Sequence, residues 1–403
     1  MDITKIREQF PVLDQEVNGY PMVFLDTAAS SQKPASVIAA IENYYQKHHA
    51  NVHRGVYKLS QRATDMFEAA RHKVQKFIGA ADEKEIIFTR GATEAINLVA
   101  SSFGDKFIGK GDVILLSGME HHSNIVPWQL IAEKKEAVIK VIPVLEDGSL
   151  DLVAMDAILE AGVKLLAITQ VSNTLGTINP IKSIVQKAHE AGAVVLVDGA
   201  QAIPHMQVDV VDLDVDFYVF SAHKMYGPTG MGILYGKADL LNQMPPYHGG
   251  GEMIERVTFE KTTFNELPFK FEAGTPNIAG AVGLSAAIDF MEEIGVENIH
   301  HHEMDLLAYA TEKLSQIEGL KIYGTAADKS GVVSFNVGNA HPYDVGTILD
   351  KLGIAVRTGH HCTQPLMDRF DIPGTVRASF GIYNTREEVD QLVKGVERAA
   401  KML

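Results

Sequence analysis

Ala193-Val194-Val195-Leu196-Val197-Asp198-Gly199-Ala200-Gln201 and Phe217-Tyr218-Val219-Phe220-Ser221-Ala222-His223-Lys224 are the stretches that decide the fold of this chain. Each opens as a short, unbroken apolar run rich in β-branched or aromatic residues and then turns abruptly polar. Such runs, without polar alternation, indicate strands covered on both faces, as in a mostly parallel sheet flanked by helices. The same pattern recurs upstream at Glu85–Thr89, Asp112–Ser117, Ala137–Ile142 and Leu165–Val171. Amphipathic segments lie between the runs. One is Ile181–Glu190, which follows Pro180 and is closed by Gly192, residues suited to the start and end of a helix. The alternation predicts an α/β architecture.

Beyond about residue 280 the rhythm changes. Helical patterns at Ala281–Ile294 and Asn298–Ile317 lead to strands near Val332–Asn336 and Ile354–Arg357, and a charged amphipathic helix runs on from Arg386. We expect a large domain over residues 16–285 and a smaller α+β C-terminal domain made of residues 1–15 and 286–403. A chain of 403 residues is too long for one small core, in keeping with that division.

Composition narrows the function classes. Thirty-six Lys and Arg against 51 Asp and Glu leave a formal charge of −15, and no basic run occurs. Nothing offers the positive face that nucleic-acid phosphates require. No stretch approaches the roughly 20 apolar residues needed to cross a bilayer, and Met1–Phe10 mixes charges of both signs without a leader's apolar run. A cytoplasmic protein, bound to neither membrane nor nucleic acid, is expected. The single cysteine, Cys362, excludes an internal disulfide and any multi-cysteine zinc site.

Ligands of open α/β sheets bind beyond the carboxyl ends of the strands. The residues leaving these strands are Arg90-Gly91-Ala92-Thr93-Glu94, Glu120-His121-His122-Ser123-Asn124, Ser172-Asn173-Thr174, Asp198-Gly199-Ala200-Gln201 and Ser221-Ala222-His223-Lys224. Polar and titratable groups therefore collect at one edge. Gly91-Ala92-Thr93 reads as a turn into a helix whose N-terminus favours an anion, or simply as a helix capped by Thr93. It lacks the Walker pattern, and no dinucleotide fingerprint follows Lys224. Asp198, leaving an apolar strand, needs a cation or strong donors beside it. Lys224, at a similar strand end, loses hydration and becomes easier to neutralise, as imine chemistry demands. Alone, each is an ordinary strand-end residue; together with the anion-binding turn they make a site.

Asp198-Gly199-Ala200-Gln201 with Ser221-Ala222-His223-Lys224 resembles the cofactor signature of fold-type I pyridoxal-phosphate enzymes of the class-V aminotransferase group. The segments Arg357-Thr358-Gly359-His360-His361-Cys362 and Glu120–Trp128 are similar to those of the SufS-type cysteine desulfurases, and the likeness runs from Leu25–Ser30 to Val376–Phe380. The resemblance implies pyridoxal 5′-phosphate carried on Lys224, which also moves the Cα proton. Asp198 would pair with the ring nitrogen, Gln201 with the phenolic oxygen, and His121 would stack on the ring and assist proton transfer. Ala92, Thr93, Ser221 and His223 would bind the phosphate, with Thr275 of a second subunit. Asn173 and Arg377 would grip the substrate carboxylate, with Arg357 in the same pocket.

Cys362 would be the nucleophile that takes sulfur from L-cysteine as a persulfide, and a polar Gly-His-His-Cys-Thr turn is no place for a merely buried thiol. The resemblance further implies a homodimer that feeds iron–sulfur cluster assembly through a SufE-like or a zinc-containing SufU-like acceptor. In the latter case His341 is the residue that would meet the acceptor's zinc. The chain itself offers no metal site, since His360, His361 and Cys362 are adjacent and no second ligand pair completes a tetrahedron. Ser123 and Ala222 stand where relatives more often have Ala and Gly. His300-His301-His302 has no counterpart role and reads as a solvated helix face. The rival readings are a selenocysteine lyase, a kynureninase- or aminotransferase-like enzyme, and a silent scaffold in a sulfur-transfer complex.

Overall fold

The structure, a computed structural model, describes all 403 residues. Seven strands form the central sheet: β1 (Ile86–Thr89), β2 (Val113–Ser117), β3 (Val138–Ile142), β4 (Leu165–Thr169), β5 (Val194–Asp198), β6 (Phe217–Ser221) and β7 (Gly232–Gly236). They lie in the order β1-β7-β6-β5-β4-β2-β3. The pairs from β6 through to β3 are parallel, and β7 runs antiparallel to both its neighbours. Every residue of β4 and β6 is buried, as their unbroken apolar runs require. The fold is α/β, with helices on both sides of a mostly parallel sheet.

The sequence reading missed β7. Gly232-Ile233-Leu234-Tyr235-Gly236 is short and bounded by glycines, which weakens a local strand signal. Its place matters, because it brings Gly232 opposite both Thr89 of β1 and Ser221 of β6. A Cβ on Gly232 would sit 2.3 Å from Gly91 Cα, so the glycine lets the turn after β1 close onto the end of β6.

Helices α1 (Ala35–Lys47) and α2 (Lys58–Phe77) both pack on α4 (Ile278–Ile294), while α3 (Ala92–Phe107) follows β1. A second, antiparallel sheet is formed by β8 (Leu320–Tyr323), β9 (Val332–Val337), β10 (Arg357–Gly359) and β11 (Thr375–Ser379), in the order β8-β9-β11-β10. Helices α5 (Val296–Leu314) and α6 (Arg386–Met402) share its apolar core, which includes Leu306, Phe335, Val376 and Leu392. Thr385 and Glu388 form a reciprocal capping box at the start of α6.

Residues near the expected domain edge behave differently from the reading. Val23–Phe24 pairs in parallel with Ile354–Ala355, and Val23 and Leu25 are buried in the core of the second sheet. These residues, placed by the sequence within the 16–285 unit, are thus hydrogen-bonded to the other one. The N-terminal segment touches both. Arg7 pairs with Glu388 at 2.8 Å, while Phe10 packs against Tyr226, Phe290 and Tyr383.

Candidate active site

The carboxyl ends of the parallel strands open on a cavity of about 250 Å³ where both sheets meet. All the expected site residues but one line it; the exception is Thr275.

On the sheet side, Asp198 is the last residue of β5, in register with Thr169 of β4 and Val219 of β6. Its Oδ1 accepts the Ala200 N–H at 3.0 Å. Burial raises its pKa, and the Lys224 charge opposes that rise. Gly199 makes the turn fit, because a Cβ there would strike the Tyr218 ring at 2.0 Å. Lys224 ends the single 3₁₀ turn Ala222–Lys224 that follows β6. It lacks a carboxylate or other hydrogen-bond partner, and burial lowers its pKa to about 8, with Asp198 resisting and Arg377 assisting. Gln201 donates to the Ala28 carbonyl at 2.6 Å, which leaves its second N–H for other partners.

The expected turn into a helix is present, without the Thr93 cap. Gly91 caps α3 with no side-chain bond, Thr93 lies inside the first turn, and the Ala92 N–H meets Ser221 Oγ at 2.8 Å. His223 is held near a pKa of 4 by burial first and then by the Lys224 and Lys33 charges, so its ring is neutral. Lys33, unnoticed in the sequence, donates to the His223 carbonyl at 2.9 Å.

His121 leaves β2. Its Nδ1 accepts the Ser123 N–H at 3.1 Å and lies 2.8 Å from Ser123 Oγ. An amide N–H can only donate, so the proton of the neutral ring is on Nε2. Burial, followed by Lys224, His122 and Arg377, lowers its pKa to about 4. Behind it Glu120 is buried, accepting from Asn124 Nδ2 at 2.7 Å and Thr169 N–H at 2.9 Å and bonding Ser117 Oγ. Trp128 Nε1 donates to Asn124 Oδ1 at 2.9 Å and so fixes which face of that amide meets Glu120.

The second sheet brings Arg377 and Arg357 to the cavity. Arg377 of β11 is buried, donating to the Asn173 carbonyl at 2.8 Å and to Asp26 at 3.2 Å, while its Nε is buried without a partner. Burial brings its pKa down to about 10, leaving it charged near neutrality. Arg357 forks onto Asp26 through contacts of 2.8–3.1 Å. Asp26 therefore orients two cationic groups, a role its sequence position does not reveal.

Cys362 is exposed. His361 and Cys362 both adopt left-handed backbone, with φ of 50° and 59°. Asn173 Nδ2 holds the His361 carbonyl at 2.8 Å, and the Cys362 N–H donates to His360 Nδ1 at 3.1 Å.

Thr275 lies apart, in a cavity of about 490 Å³ that Arg90, His248 and Asn277 also line. His341 is exposed and caps the helix Pro342–Asp350, accepting the Tyr343 N–H at 3.2 Å through Nδ1. The three-histidine run is not uniformly solvated. His300 bonds the His205 carbonyl and His302 the Asn384 carbonyl, and only His301 is exposed. The reason is that α5 lies against loops from both parts of the chain, so alternate histidines find carbonyl acceptors. No group of three or more His, Cys, Asp or Glu side chains is arranged to hold a metal ion.

Residues 23–392 match the family described as aminotransferase class-V. The chain belongs to that family. Its members depend on pyridoxal phosphate, and the residues here fit that group: an unpaired amine with a lowered pKa, a buried carboxylate, and an anion turn backed by Ser221. Among curated proteins, a probable cysteine desulfurase of Halalkalibacterium halodurans is 52% identical over 99% of this chain and 98% of its own length. A cysteine desulfurase of Yersinia pestis is 53% identical over 100% and 99%. Among solved structures of similar fold, the cysteine desulfurase CsdA of Escherichia coli aligns with a TM-score of 0.93 at 39% identity, covering 100% of this chain and 99% of that one. The apo cysteine desulfurase of Thermococcus onnurineus aligns at 0.95 and 41% identity, covering 99% and 98%.

Proposed function

We infer that the chain is a cysteine desulfurase, converting L-cysteine to L-alanine and leaving a persulfide on Cys362. One observation carries this reading: an unpaired lysine, a buried carboxylate, a buried arginine with an unmet donor and an exposed thiol share one cavity. Pyridoxal phosphate, when bound, supplies an electron sink beside the substrate's Cα. Lys224 would hold it, Asp198 would sit against the ring nitrogen, Gln201 against the phenolic oxygen, and His121 against the ring face. Ala92, Thr93, Ser221 and His223 would take the phosphate, with Thr275 of a second copy.

Arg377 and Asn173 bind the substrate carboxylate in this reading, Arg377 through the N–H that has no protein partner. Arg357 lies at the same end of the cavity. Lys224, with its pKa near 8, takes and returns the Cα proton. The Cys362 thiolate attacks the substrate sulfur. A sulfur–sulfur bond forms as the Cβ–sulfur bond breaks, the bonding pair stays with Cβ, and a proton there completes alanine.

The finer assignment rests on the sequence resemblance. We place the chain with the SufS type, as a cytoplasmic homodimer passing its sulfur to a SufE-like or SufU-like acceptor for iron–sulfur cluster assembly. No helix is long and apolar enough to cross a membrane. The exposed His341 is the group offered to a zinc-containing acceptor.

Mass spectrometry after incubation with L-cysteine tests the reading. It predicts a mass increase of one sulfur atom on the peptide containing Cys362. Cofactor-loaded protein that releases alanine without that adduct would sink the proposed nucleophile.

A further inference from the structure

His122 does not line the cavity, yet it is bonded to both sides of the nucleophile. Its backbone N–H donates to the Cys362 carbonyl at 2.8 Å, and its ring Nε2 accepts the Gln364 N–H at 3.1 Å. Since an amide N–H can only donate, Nε2 is the unprotonated nitrogen and the neutral ring carries its proton on Nδ1. These bonds tie His122 to residues 240 and 242 positions further along the chain.

The turn they hold cannot be expected to keep its shape unaided. Left-handed backbone at two successive non-glycine residues, His361 and Cys362, costs about 1–2 kcal/mol each and persists only where surrounding contacts enforce it. Three groups from the large sheet's loops do so: Asn173 on the His361 carbonyl, Thr174 Oγ on Thr363 Oγ at 2.8 Å, and His122. Of these, His122 alone spans Cys362 from its own carbonyl to the amide two residues on. It also follows His121 directly, so one short loop sets both the cofactor-side histidine and the thiol.

We propose that His122 is a positioning residue for Cys362, holding the thiol within reach of the substrate sulfur while touching neither substrate nor cofactor. The proposal rests on the desulfurase reading. Two partial reactions separate the roles. Exchange of the Cα hydrogen of L-alanine with solvent deuterium needs Lys224 and the cofactor but no thiol, whereas single-turnover persulfide formation needs Cys362 in place.

His122→Phe keeps a ring but removes the acceptor, and His122→Gln offers an oxygen that can reach the Gln364 N–H. In the cofactor-loaded Phe variant, persulfide formation should fall about tenfold to a hundredfold, the cost of a nucleophile displaced by about 1 Å. Alanine exchange and KM for L-cysteine should stay within about twofold of the parent. Alkylation of Cys362 by iodoacetamide without substrate should speed up several-fold as the turn loosens. His122→Gln should recover most of each change. Persulfide formation and alkylation at parental rates in His122→Phe overturn the proposal. So does a loss of exchange in step with persulfide formation in both variants, which would put His122 in the service of the cofactor or the fold. If the parent enzyme forms no persulfide at all, the desulfurase reading fails, and the alkylation rates alone decide whether His122 holds the turn.

Discussion

Lys224 follows a strand whose five residues are all buried, whereas Cys362 is exposed on a turn of left-handed backbone. Both line the same cavity. The sheet side is held by continuous parallel ladders, with Thr169, Asp198 and Val219 in register, so its geometry is a property of the core. The thiol side is held by a handful of side-chain bonds to a turn whose backbone conformation is intrinsically unfavourable. The division suits the proposed function. A lysine that must lose its proton near neutrality needs desolvation, which only an interior supplies. A thiol that must hand sulfur to another molecule needs the surface.

The largest test of that contrast is to remove each end in turn. Lys224→Ala should abolish both alanine Cα exchange and desulfuration, by about 10⁴-fold or more. Cys362→Ala should lower L-cysteine desulfuration by a comparable factor and leave exchange intact. Stopped-flow and isotope-exchange measurements on both variants decide it. Equal loss of exchange in Cys362→Ala would mean that the two halves are not separable. Turnover of L-selenocysteine by Cys362→Ala at the parental rate, alongside weak L-cysteine activity in the parent, would favour the selenocysteine lyase.

Much of the sheet side was legible beforehand, for a physical reason. Apolar runs mark buried strands, ligands gather at carboxyl ends, and both signals are local. Ile181–Glu190 is helical over the span that Pro180 and Gly192 delimit. What sequence did not reveal depends on distant partners. Asp26 matters through Arg357 and Arg377, 331 and 351 residues away. Val23–Phe24 is a two-residue strand whose only partner is Ile354–Ala355. Glu120 and His122 were visible beside His121, but nothing in their neighbours announces that one is buried and the other bonded to the Cys362 turn. His300 and His302 mislead for the same reason, since carbonyls from other segments take up their rings.

A second, smaller test asks how firmly the core holds the sheet side. Burial raises Glu120 to about 8, against the charge-favouring donors Ser117, Asn124 and Thr169 and with Asp198 adding to the rise. Between about 4.5 and about 8, the folded protein keeps a proton that the unfolded chain has released. Stability therefore falls as pH rises through that window. Glu120→Gln keeps the shape and cannot titrate. Its melting temperature should drop less than the parent's between about pH 5 and about pH 8, by on the order of 2 °C. Parallel curves for the two proteins would show that Glu120 is ionised throughout, and that its three donors outweigh burial.

The smallest effect falls at the join between the two sides, on Ser123. Its hydroxyl and its backbone N–H both meet His121 Nδ1, at 2.8 and 3.1 Å. A hydrogen bond donated to Nδ1 favours the neutral ring, so the hydroxyl acts in the same direction as burial, which already holds His121 near 4. Ser123→Ala removes the hydroxyl and leaves the N–H, so the ring keeps its tautomer and loses one of two supports. A net bond of about 1 kcal/mol predicts a severalfold fall in any step where His121 moves a proton. The sign is set by what was lost: the protonated ring becomes easier to form, so the acid limb of the kcat profile should shift toward neutrality. Ser123→Thr, which restores a hydroxyl, should move it back. An acid limb that stays put in Ser123→Ala would mean that the backbone N–H alone sets the tautomer and protonation of His121.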